Sequence, residues 1–137
     1  MRNVTVGFAL ACVLAAGSAF AHHAAATLGT VTITQPVMAD GKMLQPGTYE
    51  IRDTGEHVDP LPGQSEDAQA YVEFISDGNV VAREVAEVMP GPPRAVGTSG
   101  GANARLRVQT LRGNEFVRIS ANRDGERYLI HLPLQAK

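Results

Sequence analysis

Apolar residues alternate with polar ones at every second position in three stretches of the first half of the chain, 30–34, 48–52 and 71–75. This period of two is typical of a strand with one face on a core and the other in water. The apolar positions are Val31, Ile33, Tyr49, Ile51, Val72 and Phe74. Each stretch is therefore predicted to be a strand.

The last third of the chain shows the clearest alternation. Apolar and polar residues alternate in 105–109, 117–120 and 127–132, and the sequences Arg112-Gly113-Asn114 and Asn122-Arg123-Asp124-Gly125 separate these stretches. Gly, Asn and Asp favour tight turns because they tolerate a positive φ. The pattern predicts a three-stranded antiparallel meander.

The stretch from Val80 to Val88 fits two structures. Asp77-Gly78-Asn79 predicts a turn that leads into a strand, and the abundance of valine favours that strand. Val81, Val85 and Val88 also fall on one face of a short helix, which is the alternative. The segments 53–69 and 89–103 contain several Pro and Gly residues and are predicted to be connections rather than strands.

Together these patterns predict an all-β fold, a single small antiparallel β-sandwich or barrel of six to seven strands that ends in the meander. A length of 137 residues fits one domain. We expect a signal peptide at 1–21, a flexible tail at 22–27 and one β domain at 28–137.

The first 21 residues have the features of an export signal. Arg2 precedes an apolar run from Val4 to Ala16, and Ala19-Phe20-Ala21 resembles a cleavage site, which makes His22 the predicted mature N-terminus. A lipoprotein signal ending at Cys12 fits this pattern poorly. Cleavage removes this one cysteine, and no second long apolar run follows, so we expect a periplasmic or secreted protein without a transmembrane segment or disulfide.

The segment from Asp40 to Arg52 contains Gln45-Pro46-Gly47-Thr48-Tyr49, in which a Pro-Gly turn enters a strand. We expect a type II turn with a positive φ at Gly47. These 13 residues resemble a "PGTY" motif of small secreted bacterial β-sandwich proteins of the transthyretin-like or carboxypeptidase-regulatory-like type, and of uncharacterised exported proteins. The resemblance implies a binding or structural module and transfers no catalytic residue.

Charge is distributed unevenly along the chain, although the net charge is only -2. Residues 22–100 hold four basic and eleven acidic residues, whereas 101–137 hold seven basic and three acidic ones. In the predicted meander, one sheet face collects Arg105, Arg107, Arg118, Arg127 and His131. Clustered arginines can bind carboxylates or phosphates, so we expect an anionic envelope component or an acidic protein as partner. The alternative is that these arginines pair with Glu50, Glu73, Glu84 and Glu87.

Two further hypotheses concern histidines. His22 and His23 at a free N-terminus would suit copper, because an amine and an imidazole chelate Cu(II), so copper or another metal is the candidate cofactor. A hydrolase would combine His57 or His131 with a serine, but no serine lies in a Gly-x-Ser-x-Gly elbow. We therefore expect a non-enzymatic exported binding or accessory protein without catalytic residues, with a metal-binding protein and a small hydrolase as alternatives. Because the protein is expected to be exported, we expect no nucleic acid as a partner.

Overall fold

The computed structural model describes residues 24–91 and 106–135. Nine β-strands account for the regular structure of these residues: β1 (Ala26–Ile33), β2 (Val37–Ala39), β3 (Lys42–Leu44), β4 (Gly47–His57), β5 (Gln69–Ser76), β6 (Asn79–Pro90), β7 (Arg107–Thr110), β8 (Phe116–Arg123) and β9 (Glu126–Pro133). The predicted all-β class is confirmed. No helix among these residues is long and apolar enough to cross a membrane.

Seven of the strands form one antiparallel sheet in the order β1-β4-β5-β6-β9-β8-β7, and the predicted C-terminal meander is its last part. The sheet curls until its two outer strands approach each other. There the Leu106 amide donates to the Thr30 carbonyl at 3.0 Å, and the Arg123 guanidinium donates to the Thr27 carbonyl at 2.6 Å. The sheet is thus nearly closed into a barrel.

The inward positions of the alternating stretches fill the barrel. Ile51, Val72, Phe74, Ile119 and Ile130 are completely buried. Burial of a large apolar side chain contributes about 1.5–3 kcal/mol, so these positions hold the sheet in its curled form. Most of the outward positions between them are polar, which is why the period of two could be recognised in the sequence.

A small hairpin, β2–β3, fills a gap in the barrel wall. β6 pairs with β9 only from Ala86 to Pro90, so the first half of β6 lacks a neighbour on that side. The hairpin packs against this part of β6 and against β9, and its Asp40 amide donates to Glu84 Oε2 at 2.8 Å. No alternation over such short strands had indicated the hairpin.

The structure decides between strand and helix for one segment and shortens the predicted connections. The segment 80–88 belongs to β6 and is a strand, as its valines favoured. The connection 53–69 was predicted too long, because β4 continues to His57 through a shift in register of the kind that a bulge produces and β5 begins at Gln69. The connection predicted at 89–103 starts too early, because β6 continues to Pro90, and residues 92–103 lie outside the described residues. A bulge lets one strand keep pairing despite an irregular residue.

The turn before β4 also differs from the prediction. Gly47 has no positive φ, whereas Asp40 and Gly41, at the tip of the β2–β3 hairpin, have φ values of 43° and 74°. The left-handed turn therefore lies in the hairpin rather than at Pro46-Gly47. Tyr49 and Ile51 enter the core as expected. At the N-terminal side, Ala26 and Thr27, which were expected in the tail, are the first residues of β1.

Candidate functional site

The register of the meander brings three arginines to its outer surface. Arg107 on β7 lies opposite Ser120 on β8, and Ser120 lies opposite Leu129 on β9. Because residues two positions apart share a face, Arg118 lies on the same side as Ser120, and Arg127 on the same side as Leu129. We call this surface the arginine face; it consists of Arg107, Gln109, Arg118, Ser120, Asn122, Arg127 and Leu129.

The opposite side of the same strands fixes this orientation. Ile119 and Ile130 are opposite each other on the inner side and are completely buried, and Ala121 and Tyr128 form the next buried pair. A slip of one residue would exchange these side chains for arginines and place the charges inside the barrel. The core thus holds the three guanidinium groups outside.

The arginine face is concave. Its seven side chains line an open depression of about 230 Å³. Gln109 and Asn122 flank the depression, and their side-chain oxygens accept hydrogen bonds of 3.3 Å from Arg118 Nη2 and Arg127 Nε, respectively. Arg107 forms no side-chain hydrogen bond with the described residues.

Within residues 24–91 and 106–135, none of the three arginines forms an ion pair. The outward positions of β7, β8 and β9 contain no acidic residue. Glu87 on β6 lies opposite Leu129, at the border of the face, yet no ion pair joins it to an arginine in the part of the chain that is described. The Nε atom of Arg118 is buried without a hydrogen-bond partner there.

Three of the four glutamates that were considered as partners of these arginines bind elsewhere. Glu73 accepts hydrogen bonds from Arg52, Glu50 accepts one from Thr27 Oγ1, and Glu84 accepts one from the Asp40 amide. Among the described residues, the alternative that these glutamates pair with the arginines of the face therefore finds no ion pair in its support. These long-range partners are not visible in a linear sequence.

The remaining predicted site residues have different positions. His131 lies opposite Arg118 on β9, half-buried at the edge of the arginine face. Arg105, His22, His23, Cys12 and the predicted signal peptide at 1–21 lie outside the described residues. The copper hypothesis for the N-terminal histidines thus stays a prediction. No group of three metal-ligating side chains occurs in the described part of the chain.

For the hydrolase hypothesis, the structure gives the positions of both histidines. His57 ends β4, and its Nδ1 atom lies 4.0 Å from Asp67 Oδ1. His131 and Ser120 share the outer surface of the meander, but Ser120 lies opposite Leu129 rather than opposite His131. No hydrogen bond joins His131 to a serine among the described residues.

A second polar cluster, at one end of the barrel interior, was not anticipated from the sequence. Tyr128 on β9 donates its hydroxyl proton to Asp53 Oδ2 on β4 at 2.9 Å, and Glu126 Oε2 is 3.2 Å from the same hydroxyl. The strands β4 and β9 are not neighbours in the sheet, so this hydrogen bond crosses the interior. Asp53 Oδ1 also accepts a hydrogen bond from the Gly55 amide.

The environment of Tyr128 keeps its phenol protonated. Burial, together with the hydrogen bond to Asp53, raises the pKa of Tyr128 well above its ordinary value of 10.0. The hydroxyl is therefore protonated at neutral pH and can act as the hydrogen-bond donor to Asp53. Asp53 continues the inward series of Tyr49 and Ile51, and that continuation was the available signal in the sequence.

Comparisons with known proteins add no family to this description. No protein-family model matches the chain, and neither a curated protein nor a solved structure matches it. The resemblance of the Asp40–Arg52 segment to secreted β-sandwich proteins thus stays a prediction. What the chain does has to be inferred from its own surfaces.

Proposed function

We propose that the protein is a non-enzymatic binding or accessory module of the bacterial envelope, exported by its N-terminal signal, and that it binds an anionic ligand through the arginine face. One observation carries the proposal. Arg107, Arg118 and Arg127 share a concave surface, and none of them has an acidic partner among the described residues. Their positive charge is left for a ligand to compensate.

Electrostatics explains why such a surface favours an anion. Three guanidinium groups on neighbouring strands repel one another, and an anion between them relieves that repulsion while accepting several charge-assisted hydrogen bonds. Arginine suits this role because its planar group donates two parallel hydrogen bonds to a carboxylate or phosphate. The partners Gln109 and Asn122 are neutral, so they hold Arg118 and Arg127 without cancelling their charge.

Chromatography on phosphocellulose tests the anion-binding part of the proposal. The mature protein, starting at His22, is compared with the double variants Arg107→Gln/Arg127→Gln and Arg52→Gln/Arg83→Gln. Both variants lose two positive charges, but Arg52 and Arg83 belong to ion pairs on another part of the barrel. Circular dichroism verifies that all three proteins are folded.

We expect the unmodified protein and the Arg52/Arg83 variant to be retained and to elute at similar salt concentrations. The Arg107/Arg127 variant should elute at a much lower salt concentration, because binding to a polyanion weakens with each lost contact. Equal loss of retention in both double variants would show that net charge alone decides. Absence of retention for the unmodified protein would contradict the proposal.

The export part of the proposal has its own test. The full-length chain is expressed in a Gram-negative bacterium, the periplasm and the medium are separated from the cells, and the N-terminal residue of the product is determined. Export predicts a product that begins at His22 and lies outside the cytoplasm. An uncleaved chain in the cytoplasm would contradict it.

A further inference from the structure

Resting on the proposed function, we infer that the arginine face is a single site for one terminal phosphoryl group, a phosphomonoester dianion, rather than a general surface for carboxylates or polyanions. The inference depends on three features of the face: the arrangement of the arginines, the kind of hydrogen-bonding groups around them, and the number of charges.

The register places the three arginines around Ser120. Ser120 lies in the middle strand, with Arg107 directly opposite on β7 and Arg118 two positions away on β8. Arg127 lies diagonally from Ser120 on β9, because it is opposite Asn122. Paired strands are about 5 Å apart and residues two positions apart are about 7 Å apart. The guanidinium groups can therefore converge above the Ser120 hydroxyl, where one compact anion can contact all of them.

The groups around this point are mainly hydrogen-bond donors. The side-chain oxygens of Gln109 and Asn122 already accept hydrogen bonds from Arg118 and Arg127, which leaves their amide N–H groups for a ligand. Ser120 adds a hydroxyl donor, and Leu129 adds no polar group. A sugar ring with free hydroxyls needs acceptors as well as donors, whereas a phosphoryl group offers only acceptor oxygens. The donor-rich face thus matches the phosphoryl group.

The number of positive charges on the face also favours a phosphomonoester over a carboxylate. One carboxylate can be satisfied by a single arginine through two parallel hydrogen bonds, which would leave two guanidinium groups uncompensated. A phosphomonoester carries nearly two negative charges above its second pKa of about 6, and it has three equivalent oxygens. Glu87, at the border of the face, repels extended polyanions that would continue past Leu129 toward β6.

Calorimetric titration at pH 7.5 and low salt tests the inference with two matched ligands. Methyl phosphate is a dianion under these conditions, whereas dimethyl phosphate has the same central atom but one charge. Acetate is the carboxylate control. The proteins are the unmodified chain from His22 and the same two double variants, Arg107→Gln/Arg127→Gln and Arg52→Gln/Arg83→Gln.

We expect one methyl phosphate to bind per protein, roughly tenfold or more tighter than dimethyl phosphate or acetate, because a hydrogen bond to a charged group is worth at least that factor. The Arg107/Arg127 variant should lose at least the same factor, and the Arg52/Arg83 variant should bind as the unmodified protein does. Equal affinity for methyl and dimethyl phosphate, or equal affinity of both variants, would overturn the inference.

Vesicles distinguish a free phosphomonoester from one carried by a lipid. Phosphatidic acid presents a terminal phosphoryl group, and phosphatidylglycerol presents a diester. Binding to phosphatidic acid vesicles that methyl phosphate displaces supports the inference and assigns a lipid source. Binding to both kinds of vesicle without binding to methyl phosphate overturns it, yet leaves the broader anion-binding proposal intact. Retention on phosphocellulose without binding to methyl phosphate would likewise overturn the inference and leave the anion-binding proposal intact.

Discussion

The arginines on two parts of the outer barrel surface have different kinds of partner. On β4, β5 and β6, Arg52 pairs with Glu73 at 2.6 Å, and Arg83 pairs with Glu56 and also stacks over the Tyr71 ring at 4.1 Å. On β7, β8 and β9, the arginines of the arginine face have only neutral side-chain partners within the described residues. Both surfaces belong to one sheet, so the difference comes from their sequences and not from their architecture.

The two kinds of arginine differ in how easily a ligand could contact them. An arginine that is paired with a glutamate and stacked on an aromatic ring already has partners within the protein. A ligand would have to compete with the ion pair and with the stacking contact. Solubility alone would be served equally well by mixed charges on the meander. A concave surface with arginines and no acid at its outward positions is instead typical of an anion-binding site.

The largest effect on stability should come from the most completely satisfied polar group, Tyr128. Tyr128→Phe removes the hydroxyl donor and leaves Asp53 buried, so we expect a loss of about 1–3 kcal/mol in the free energy of unfolding. Urea denaturation measures it. The control is Tyr49→Phe, whose hydroxyl donates only to the Gln45 carbonyl near an exposed turn and should cost less. Equal losses would show that the cross-barrel hydrogen bond has no special weight.

The stabilising contribution of Tyr128 should depend on pH in the alkaline range. The pKa of Tyr128 is raised in the folded state, so its stabilising contribution is complete below pH 10 and is lost as the pH rises above that value toward the folded-state pKa. The stability difference between the unmodified protein and Tyr128→Phe should therefore shrink above pH 10. Urea denaturation between pH 8 and pH 11 measures the difference, and a constant difference would argue against the raised pKa.

A single substitution can introduce on the arginine face an ion pair like those on β4, β5 and β6. Gln109→Glu places a carboxylate where Arg118 already donates a hydrogen bond. We expect a gain of about 0.2–1 kcal/mol in stability from the new ion pair. Retention on phosphocellulose should fall, because the new carboxylate competes for Arg118 and adds a negative charge. Gln135→Glu, at an exposed position outside the face, is the charge-matched control and should have a smaller effect.

The smallest expected effects differ in sign between the two surfaces. Arg52→Gln breaks an ion pair and should destabilise the protein by about 0.2–1 kcal/mol. Arg107→Gln removes repulsion without breaking a contact to a described residue, so its effect should lie between zero and a few tenths of a kcal/mol of stabilisation. Thermal unfolding at low salt measures both. A destabilisation by Arg107→Gln as large as that by Arg52→Gln would indicate that Arg107 has a partner within the protein.

The parts of the fold that could be predicted from the sequence are those in which burial alternates strictly. Tyr49 and Ile51, and the strands β8 and β9 of the meander, follow this rule because one face of each strand is covered. The strand β7 does not alternate in burial, and its Val108 is exposed. The β2–β3 hairpin escaped prediction because three-residue strands are too short to show a period. The end of β4 was assigned to a loop because its glycine and acidic residues obscured the continuing alternation.

For the candidate site, the sequence predicted which arginines share a face, but it could not predict which acidic residues lie near them. The placement of Arg107, Arg118 and Arg127 follows from local alternation and two tight turns. That no described acidic residue pairs with them depends on the order of all seven strands, which places Glu73 beside Arg52 and Glu84 beside the hairpin. Such long-range neighbours have no signature in a single sequence.

The central claim is that the arginine face, and not the barrel surface as a whole, binds the anion. Amide chemical shifts of the mature protein, followed during a titration with tripolyphosphate, test it most directly. The account predicts shifts concentrated at 107–110, 118–122 and 127–131 and little change on β4, β5 and β6. Shifts spread evenly over the barrel, or largest around Arg52 and Arg83, would contradict it.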